Sequence, residues 1–223
     1  LILDFSLYFG DSTSEPTKNP FSIEHSHSLE AAPLNLLKQI HSSDVLISSE
    51  TSELFVRQGD ALITNRPGQA IGVLTADCLP IIFFDKIAMA IGVAHAGWRG
   101  SIAGIATKTV KAMGVNFGSK PEDIKVFFGP AAGPCCYEVS RDFEQNYFAQ
   151  SLGRYKNETF LARDKKYFFD NTKFNYLQLT QAGVKDISFD HNVCTICDHR
   201  YHSYRRSGNS AGRQLSAAII SKH

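Results

Sequence analysis

Three short apolar runs follow one another closely in this chain: Ala70–Leu74, Pro80–Phe84 and Ala88–Ala94. Each is too short for an ordinary helix and is apolar at successive positions, as expected of a strand buried on both faces. Strands of that kind need a sheet covered on both sides. The sequence therefore predicts an α/β (mixed α+β) architecture, with mixed β-sheets flanked by helices. The connections are brief. Thr-Ala-Asp-Cys separates the first two runs, and the third leads directly into His95-Ala-Gly-Trp-Arg-Gly.

Further strand-like text covers Leu34–Ser48, Asp60–Thr64, Ile124–Phe128 and Gln214–Ile220. The opening residues also read as a strand rather than a signal peptide, because Asp4 interrupts them and no basic lead precedes them. A chain starting on Leu leaves a cleaved upstream segment open. Gly10–Pro20 is turn-rich and predicts a surface loop. Ile102, Ile105, Ala106, Val110 and Met113 recur at helical spacing, with Ser101 placed to cap the start and Gly114 to end it. A second helix is expected over Ser140–Gln150, with Ser140 as cap and Asp142 and Glu144 in its first turn. A third spans Asp170–Ala182 and stops at Gly183.

The length, 223 residues, suits one domain with one sizeable core. Charge excludes several classes of partner. Lys and Arg total 23 against 22 for Asp and Glu, so there is no basic footprint for nucleic acid and no polybasic anchor for lipid. No apolar run approaches the roughly 18 residues that cross a bilayer. Five cysteines, an odd number, do not make a disulfide framework and point to a reducing cytoplasm. Oligomeric state is left open.

Chemistry gathers at three places. Cys78 lies between two apolar runs, where a small core residue is the ordinary reading. His95 ends a buried strand, and Gly97 and Gly100 behind it permit backbone approaches that other residues resist. His41 follows another strand-like run in Leu-Lys-Gln-Ile-His (37–41). Two imidazoles and a thiolate suit zinc and leave a fourth coordination position open, although this spacing alone is not diagnostic.

These segments, with Gly-Pro-Ala-Ala-Gly-Pro-Cys-Cys-Tyr-Glu-Val (129–139) and the Cys-Thr, Ser-Tyr-Arg-Arg and Gly-Arg pieces near the C-terminus, resemble the YfiH-like family. That family is named both as a laccase-like multicopper polyphenol oxidase and as a purine nucleoside phosphorylase. The resemblance runs from about Leu34 to the end, whereas Asp4–Leu29 departs from the family's Ser-x-Asn-Leu-Gly-type opening. It implies a single catalytic domain over residues 1–223 with a YfiH-like cysteine hydrolase fold. It also implies that His41, Cys78 and His95 bind zinc. The implied activity is phosphorolysis of adenosine, inosine, guanosine and 5′-methylthioadenosine, with adenosine deamination beside it.

Residue types give each role a candidate. Arg99 offers planar donors to phosphate, and Arg205 or Arg206 a second clamp. Asp77 reads as a proton shuttle or as a carboxylate that orients a ligand. Gln39 and Tyr137 are candidate substrate contacts, and Trp98 is a pocket wall or a packing residue. Deamination would not use the usual nucleobase-deaminase signature, since His95-Ala96-Gly97 and Val193-Cys194-Thr195-Ile196-Cys197 lack its Glu and Pro. Cys194 and Cys197 form a single Cys-x-x-Cys and read as buried thiols rather than as half of a second metal site with His199 and His202. Adjacent Cys135 and Cys136 read as a turn entering a helix.

Three rival readings remain, one of them a non-catalytic scaffold that keeps the zinc only for folding. Cys78 as nucleophile with His95 as base makes a cysteine hydrolase, fitting the family's role in peptidoglycan editing. Copper in place of zinc makes a polyphenol oxidase. That chemistry needs many histidines. The eight present show paired spacing only at His25-Ser26-His27, with His191, His199, His202 and His223 scattered.

Overall fold

A computed structural model describes residues 3–13, 32–143 and 153–222. Among the described residues, fourteen strands form three sheets. The first has five strands in the order β1 (Leu3–Phe9), β14 (Gln214–Lys222), β6 (Ala70–Thr75), β2 (Leu34–Lys38) and β4 (Leu54–Gln58). The second has six, in the order β13 (Asp186–Ser188), β9 (Ile124–Phe128), β7 (Leu79–Asp85), β8 (Ala90–Ala96), β5 (Ala61–Thr64) and β3 (Val45–Ile47). A small third sheet joins β10 (Glu138–Val139), β12 (Lys166–Phe169) and β11 (Phe160–Arg163). Both large sheets are mixed, with antiparallel pairs such as β7 with β8 and parallel pairs such as β2 with β6.

Burial on both faces explains the unbroken apolar runs. In β7, Ile82 packs toward the five-stranded sheet with Leu62, Ile71, Val93 and Ile220. Its neighbours Ile81 and Phe83 point the other way, into a cluster with Ile105, Val110, Met113 and Leu179. Strand β8 divides likewise, Ile91 and Val93 on one side and Ala90, Ala94 and Ala96 on the other. Successive residues alternate between faces, so each strand serves the inter-sheet core and the helical layer at once.

That layer contains α1 (Trp98–Ile102), α2 (Ile105–Phe117) and α4 (Asn171–Gln181), with α3 (Gly153–Thr159) and α5 (Tyr204–Ser207) elsewhere. The helix expected from Ser101 to Gly114 is thus two helices, divided at Gly104, which has φ +80°. Ser101 is not a cap. It is buried inside α1, and its hydroxyl accepts from Asn175 Nδ2 at 2.9 Å. Gly114 lies within α2, which ends instead at Gly118 with φ +75°. The expected helix over Ser140–Gln150 is described only at 141–143, where Ser140 Oγ accepts from the Phe143 N–H; the rest lies outside the described residues. The Gly10–Pro20 loop is described only through residue 13. Strand-like text from Leu34 to Ser48 is two strands in different sheets, β2 and β3, with His41 between them.

The helix from Asp170 forms as expected. Asp170 is the N-cap of α4, its carboxylate accepting from Lys173 N at 2.8 Å. Asp170→Ala should therefore cost about 1 kcal/mol in urea unfolding; an unchanged midpoint would show that α4 is held by packing alone.

Candidate active site

Asp60 organises the site. It stands at the head of β5, fully buried, and its carboxylate accepts from the backbone N–H groups of Ile40, His41 and Ser42 at 3.2, 3.0 and 2.6 Å. The Ser42 hydroxyl adds a fourth donor at 2.8 Å. The chain leaving β2 must curl tightly to aim three N–H groups at one carboxylate, and His41 accordingly takes φ +59°. Strained backbone of this kind costs on the order of 1–3 kcal/mol and persists only where the surroundings enforce it.

The same carboxylate reaches His95. Register Ala61↔Ala94 sets the end of β8 beside Asp60, whose Oδ1 lies 2.8 Å from His95 Nδ1. The Asp60 carbonyl also accepts the His95 backbone N–H at 2.7 Å. With Nδ1 committed, Nε2 is the nitrogen left for chemistry. Cys78 comes from the bend before β7, where Asp77 takes φ +83°. Its Sγ is 3.9 Å from His41 Nε2, and the ligand atoms of His41, Cys78 and His95 all lie within 4.8 Å of one another. Gly97 makes room for them. A Cβ there would stand 2.9 Å from His41 Cδ2 and 3.1 Å from Cys78 Sγ. At Gly100 a Cβ would fall 2.7 Å from the Ser42 carbonyl.

Electrostatics fit a cation. Burial pushes the Cys78 thiol up, but the His95 charge and hydrogen bonds from both histidines outweigh it and bring the thiol down to about 6. Burial disfavours charge on His95, yet the Cys78 thiolate and the Asp60 hydrogen bond raise it to about 9. Asp60 sits below its ordinary value despite burial, held by His95 and Ser42. A buried carboxylate and a half-buried thiolate thus share the imidazolium between them. A divalent cation would take over that role with His95 neutral, and the two-imidazole, one-thiolate donor set suits it.

A cavity of about 650 Å³ opens over this group, and Gln39, Asp77, Arg99, Tyr137 and Arg205 line it along with the three donors. Their hydrogen bonds separate their roles. The Gln39 amide is committed to the Leu74 main chain in both directions, at 2.8 Å each, so it ties β2 to β6. Both Asp77 oxygens are engaged, Oδ1 by the Thr195 hydroxyl at 2.7 Å and Oδ2 by the Arg205 N–H at 2.6 Å. Asp77 therefore anchors the wall that carries Arg205. Arg205 Nη1 donates to the Glu138 carbonyl, and its guanidinium lies 5.0 Å over the Tyr137 ring. Arg206 is turned away, its guanidinium donating to the carbonyls of Thr195, Ile196 and Tyr201. Arg99 stacks on Trp98 at 4.1 Å, and Trp98 meets Phe143 edge-on in an aromatic cluster beside the cavity. Burial and the Cys78 charge push the Tyr137 phenol up, so it remains a donor.

Sequence reasoning missed Asp60, because a lone acid ahead of Ala-Leu-Ile-Thr reads only as the start of a strand. It also missed Asn171, whose side chain lines the cavity while donating to the Ala96 carbonyl at 2.8 Å.

A family profile described as multi-copper polyphenol oxidoreductase laccase matches residues 2–221. This chain belongs to that YfiH-like family. The match begins before Leu34, so it takes in the N-terminal segment whose motif departs from the family's usual opening. Among its relatives, a purine nucleoside phosphorylase of Borreliella burgdorferi is 35% identical over 82% of this chain and 78% of its own length. One from Clostridium acetobutylicum is 33% identical over 96% of this chain and 92% of its own. The crystal structure of Bacillus licheniformis YfiH superposes with a TM-score of 0.75 at 28% identity, covering 84% of this chain and 74% of that one. The YfiH-like fold is thus a mixed α+β domain whose Asp60, His41, Cys78 and His95 meet where its two large sheets end. Among the described residues, no helix is long and apolar enough to cross a membrane.

Proposed function

We propose that this chain is a zinc-dependent purine nucleoside phosphorylase, acting on adenosine, inosine, guanosine and 5′-methylthioadenosine, that also deaminates adenosine. One observation carries the reading: the His41, Cys78 and His95 donors converge inside a cavity that also presents Arg99, Arg205 and aromatic walls. Its volume falls within the range of small-molecule sites, roughly 300–1,000 Å³. The names of the relatives point the same way.

In phosphorolysis, a phosphate oxygen bonds to ribose C1′ as the C1′–N9 bond breaks, and the departing purine takes the electron pair and a proton. Arg99 and the free N–H groups of Arg205 hold the phosphate, charge-assisted and in fixed orientation. Trp98, Tyr137 and Phe55, all lining the cavity, offer flat surfaces to the base, and the Tyr137 hydroxyl a donor. Asp77, with both oxygens occupied, positions Arg205 rather than shuttling protons. Zinc held by His41, Cys78 and His95 supplies Lewis acidity for the polar atoms of the substrate. The five free thiols suit a cytoplasmic setting.

The Cys78–His95–Asp60 alignment also favours a second reading. Nucleophile, base and orienting acid are the parts of a cysteine hydrolase acting on amide bonds, as in peptidoglycan editing. A copper oxidase has less support: His191, His199 and His202 join neither metal-competent cluster among the described residues, and His25 and His27 lie outside them.

The test incubates protein of known metal content with adenosine, with and without phosphate, and separates the products. Adenine formed only with phosphate is the expected result for phosphorolysis, and inosine for deamination. An unchanged nucleoside in both arms would refute both. Chelator-stripped enzyme should lose turnover; full activity without metal would favour the thiol nucleophile.

A further inference from the structure

Four of the five cysteines meet away from the cavity, although the sequence reads them as two unrelated pairs. Cys135 and Cys136 lie in the turn after β9, and Cys194 and Cys197 in the loop after β13. The loops are clasped by a parallel bridge between Ala131 and Cys194, in which Ala131 N–H donates to Val193 O and Thr195 N–H to Ala131 O, both at 3.0 Å. Gly133 permits the approach, since a Cβ there would stand 3.2 Å from Cys194 Cβ. The result corrects the expectation of buried thiols at Cys194 and Cys197, which are half-buried and exposed; beside them Cys135 is exposed and Cys136 half-buried.

All four sulfurs lie within 4.8 Å of one another, with Cys136 Sγ and Cys135 Sγ at 3.0 and 3.4 Å from Cys197 Sγ. A disulfide would require about 2.05 Å. A tetrahedral zinc with Zn–S bonds of about 2.3 Å sets its sulfurs roughly 3.8 Å apart, in the middle of this range. From this geometry we propose that Cys135, Cys136, Cys194 and Cys197 form a structural zinc site of four thiolates, separate from the His41–Cys78–His95 group.

The surroundings are built for thiolate. Gly133 N–H donates to Cys194 Sγ at 3.3 Å. Burial raises the Cys194 thiol, but backbone N–H groups of Cys197 and Gly133 outweigh it and hold it below its ordinary value. Its neighbours then resist ionisation: Cys135 is pushed up by burial and by Cys194, and Cys136 to about 11 through its hydrogen bond with Cys197. One thiolate suppresses the others. A divalent cation reverses that balance, each thiol releasing a proton to solvent as it binds. Four soft thiolates in a closed tetrahedron select zinc over oxygen-preferring cations and leave no position for substrate.

The site explains how the cavity wall is held. Thr195, inside the Cys-x-x-Cys, bonds Asp77, the residue before Cys78. Tyr137 directly follows Cys136 and lines the cavity. Arg163 Nη2 steadies the same turn through the carbonyls of Pro134 and Cys135. A zinc ion here staples the loop that carries Tyr137 to the one that leads into α5 and Arg205, whatever reaction takes place between them.

Metal analysis of the full chain, purified under reducing conditions and equilibrated with zinc, tests the proposal. Wild type should hold two zinc ions per chain, with one lost in Cys194→Ser/Cys197→Ser and one lost in His41→Ala/His95→Ala. A cysteine variant with the wild-type zinc content, or a wild type whose only ion is the one lost in His41→Ala/His95→Ala, would overturn it. Should the cysteine variant not fold, alkylation of wild type read by mass spectrometry decides. Zinc should shield Cys135 and Cys197 although both are exposed, and a chelator should release them to the reagent. Equal labelling before and after chelation, or a mass short of the hydrogens lost to disulfides, would count against the site.

Discussion

Asp60→Asn should be among the most damaging single substitutions in this chain, costing about 3–5 kcal/mol of folding stability. The carboxylate accepts from five donors, namely three backbone N–H groups, the Ser42 hydroxyl and His95 Nδ1. Asparagine keeps the shape but has one acceptor oxygen, and it turns an NH2 toward groups that are themselves donors. Hydrogen bonds to a charged group contribute roughly 1.5–3 kcal/mol each, and a buried donor left unpaired costs its desolvation as well. The loss is large against a total stability of about 5–15 kcal/mol. The site should suffer separately. His41 loses the turn that aims it, His95 loses its tautomer, and zinc affinity should fall about 10–100-fold. Urea unfolding and competition with a chromophoric chelator measure the two effects. A variant within about 1 kcal/mol of wild type that binds zinc equally well would show that Asp60 is incidental. Acid should mimic the substitution. Because Asp60 lies below its ordinary value of 3.8, its stabilisation is complete above that pH and declines as pH falls through the depressed one.

How much of this was legible in the sequence depended on range. Strands β6 and β7 were plain because burial on both faces leaves an unbroken apolar run, whereas β9 and β14 carry Lys125 and Ser216 within them and were legible from the apolar residues around those positions. Helix α4 was plain because Asp170 and Gly183 mark its ends, the glycine with φ +98°. The hairpin of β11 and β12 was not. Its turn places Asp164 and Lys165 at φ +49° and +61°, a conformation usually signalled by Asn-Gly. Helix spacing ran through the break at Gly104 without registering it, because Ile102 and Ile105 both pack inward on either side of it, Ile102 on the aromatic cluster and Ile105 in the main core. The three donors His41, Cys78 and His95 could be picked out by motif, but Asp60, which aims the two histidines, carries no local signal. The four remaining cysteines show the same limit: Cys136 and Cys197 are 61 residues apart, and the pairing of β9 with β13 and of Ala131 with Cys194 brings them together.

Gly97→Ala separates the site from the fold. Gly97 has φ −65° and ψ 162°, an extended conformation that alanine adopts without strain. Where the backbone allows it, a Gly→Ala change stabilises by about 0.4–1 kcal/mol through the unfolded chain. The added methyl, however, would stand 2.9 Å from His41 Cδ2 and 3.1 Å from Cys78 Sγ, closer than side-chain carbons tolerate. Neither neighbour yields freely. His41 sits on a turn fixed by Asp60, and Cys78 on the bend that Asp77 anchors to Thr195 and Arg205. The imidazole or the thiol must rotate out of the cluster, so the proposed zinc loses one of three protein ligands. Loss of a ligand should cost more than disturbing its support, so affinity at this site should fall by at least about 100-fold, and nucleoside turnover with it. Thermal stability of the stripped protein should stay within about 1 kcal/mol of wild type. Zinc titration and calorimetry on the same sample read both quantities. Tight zinc binding with normal turnover in Gly97→Ala would mean that the donors do not meet a common ion. A collapse of stability would mean instead that the glycine serves the fold. Only weakened binding in an intact domain fits a metal centre built against that bare backbone.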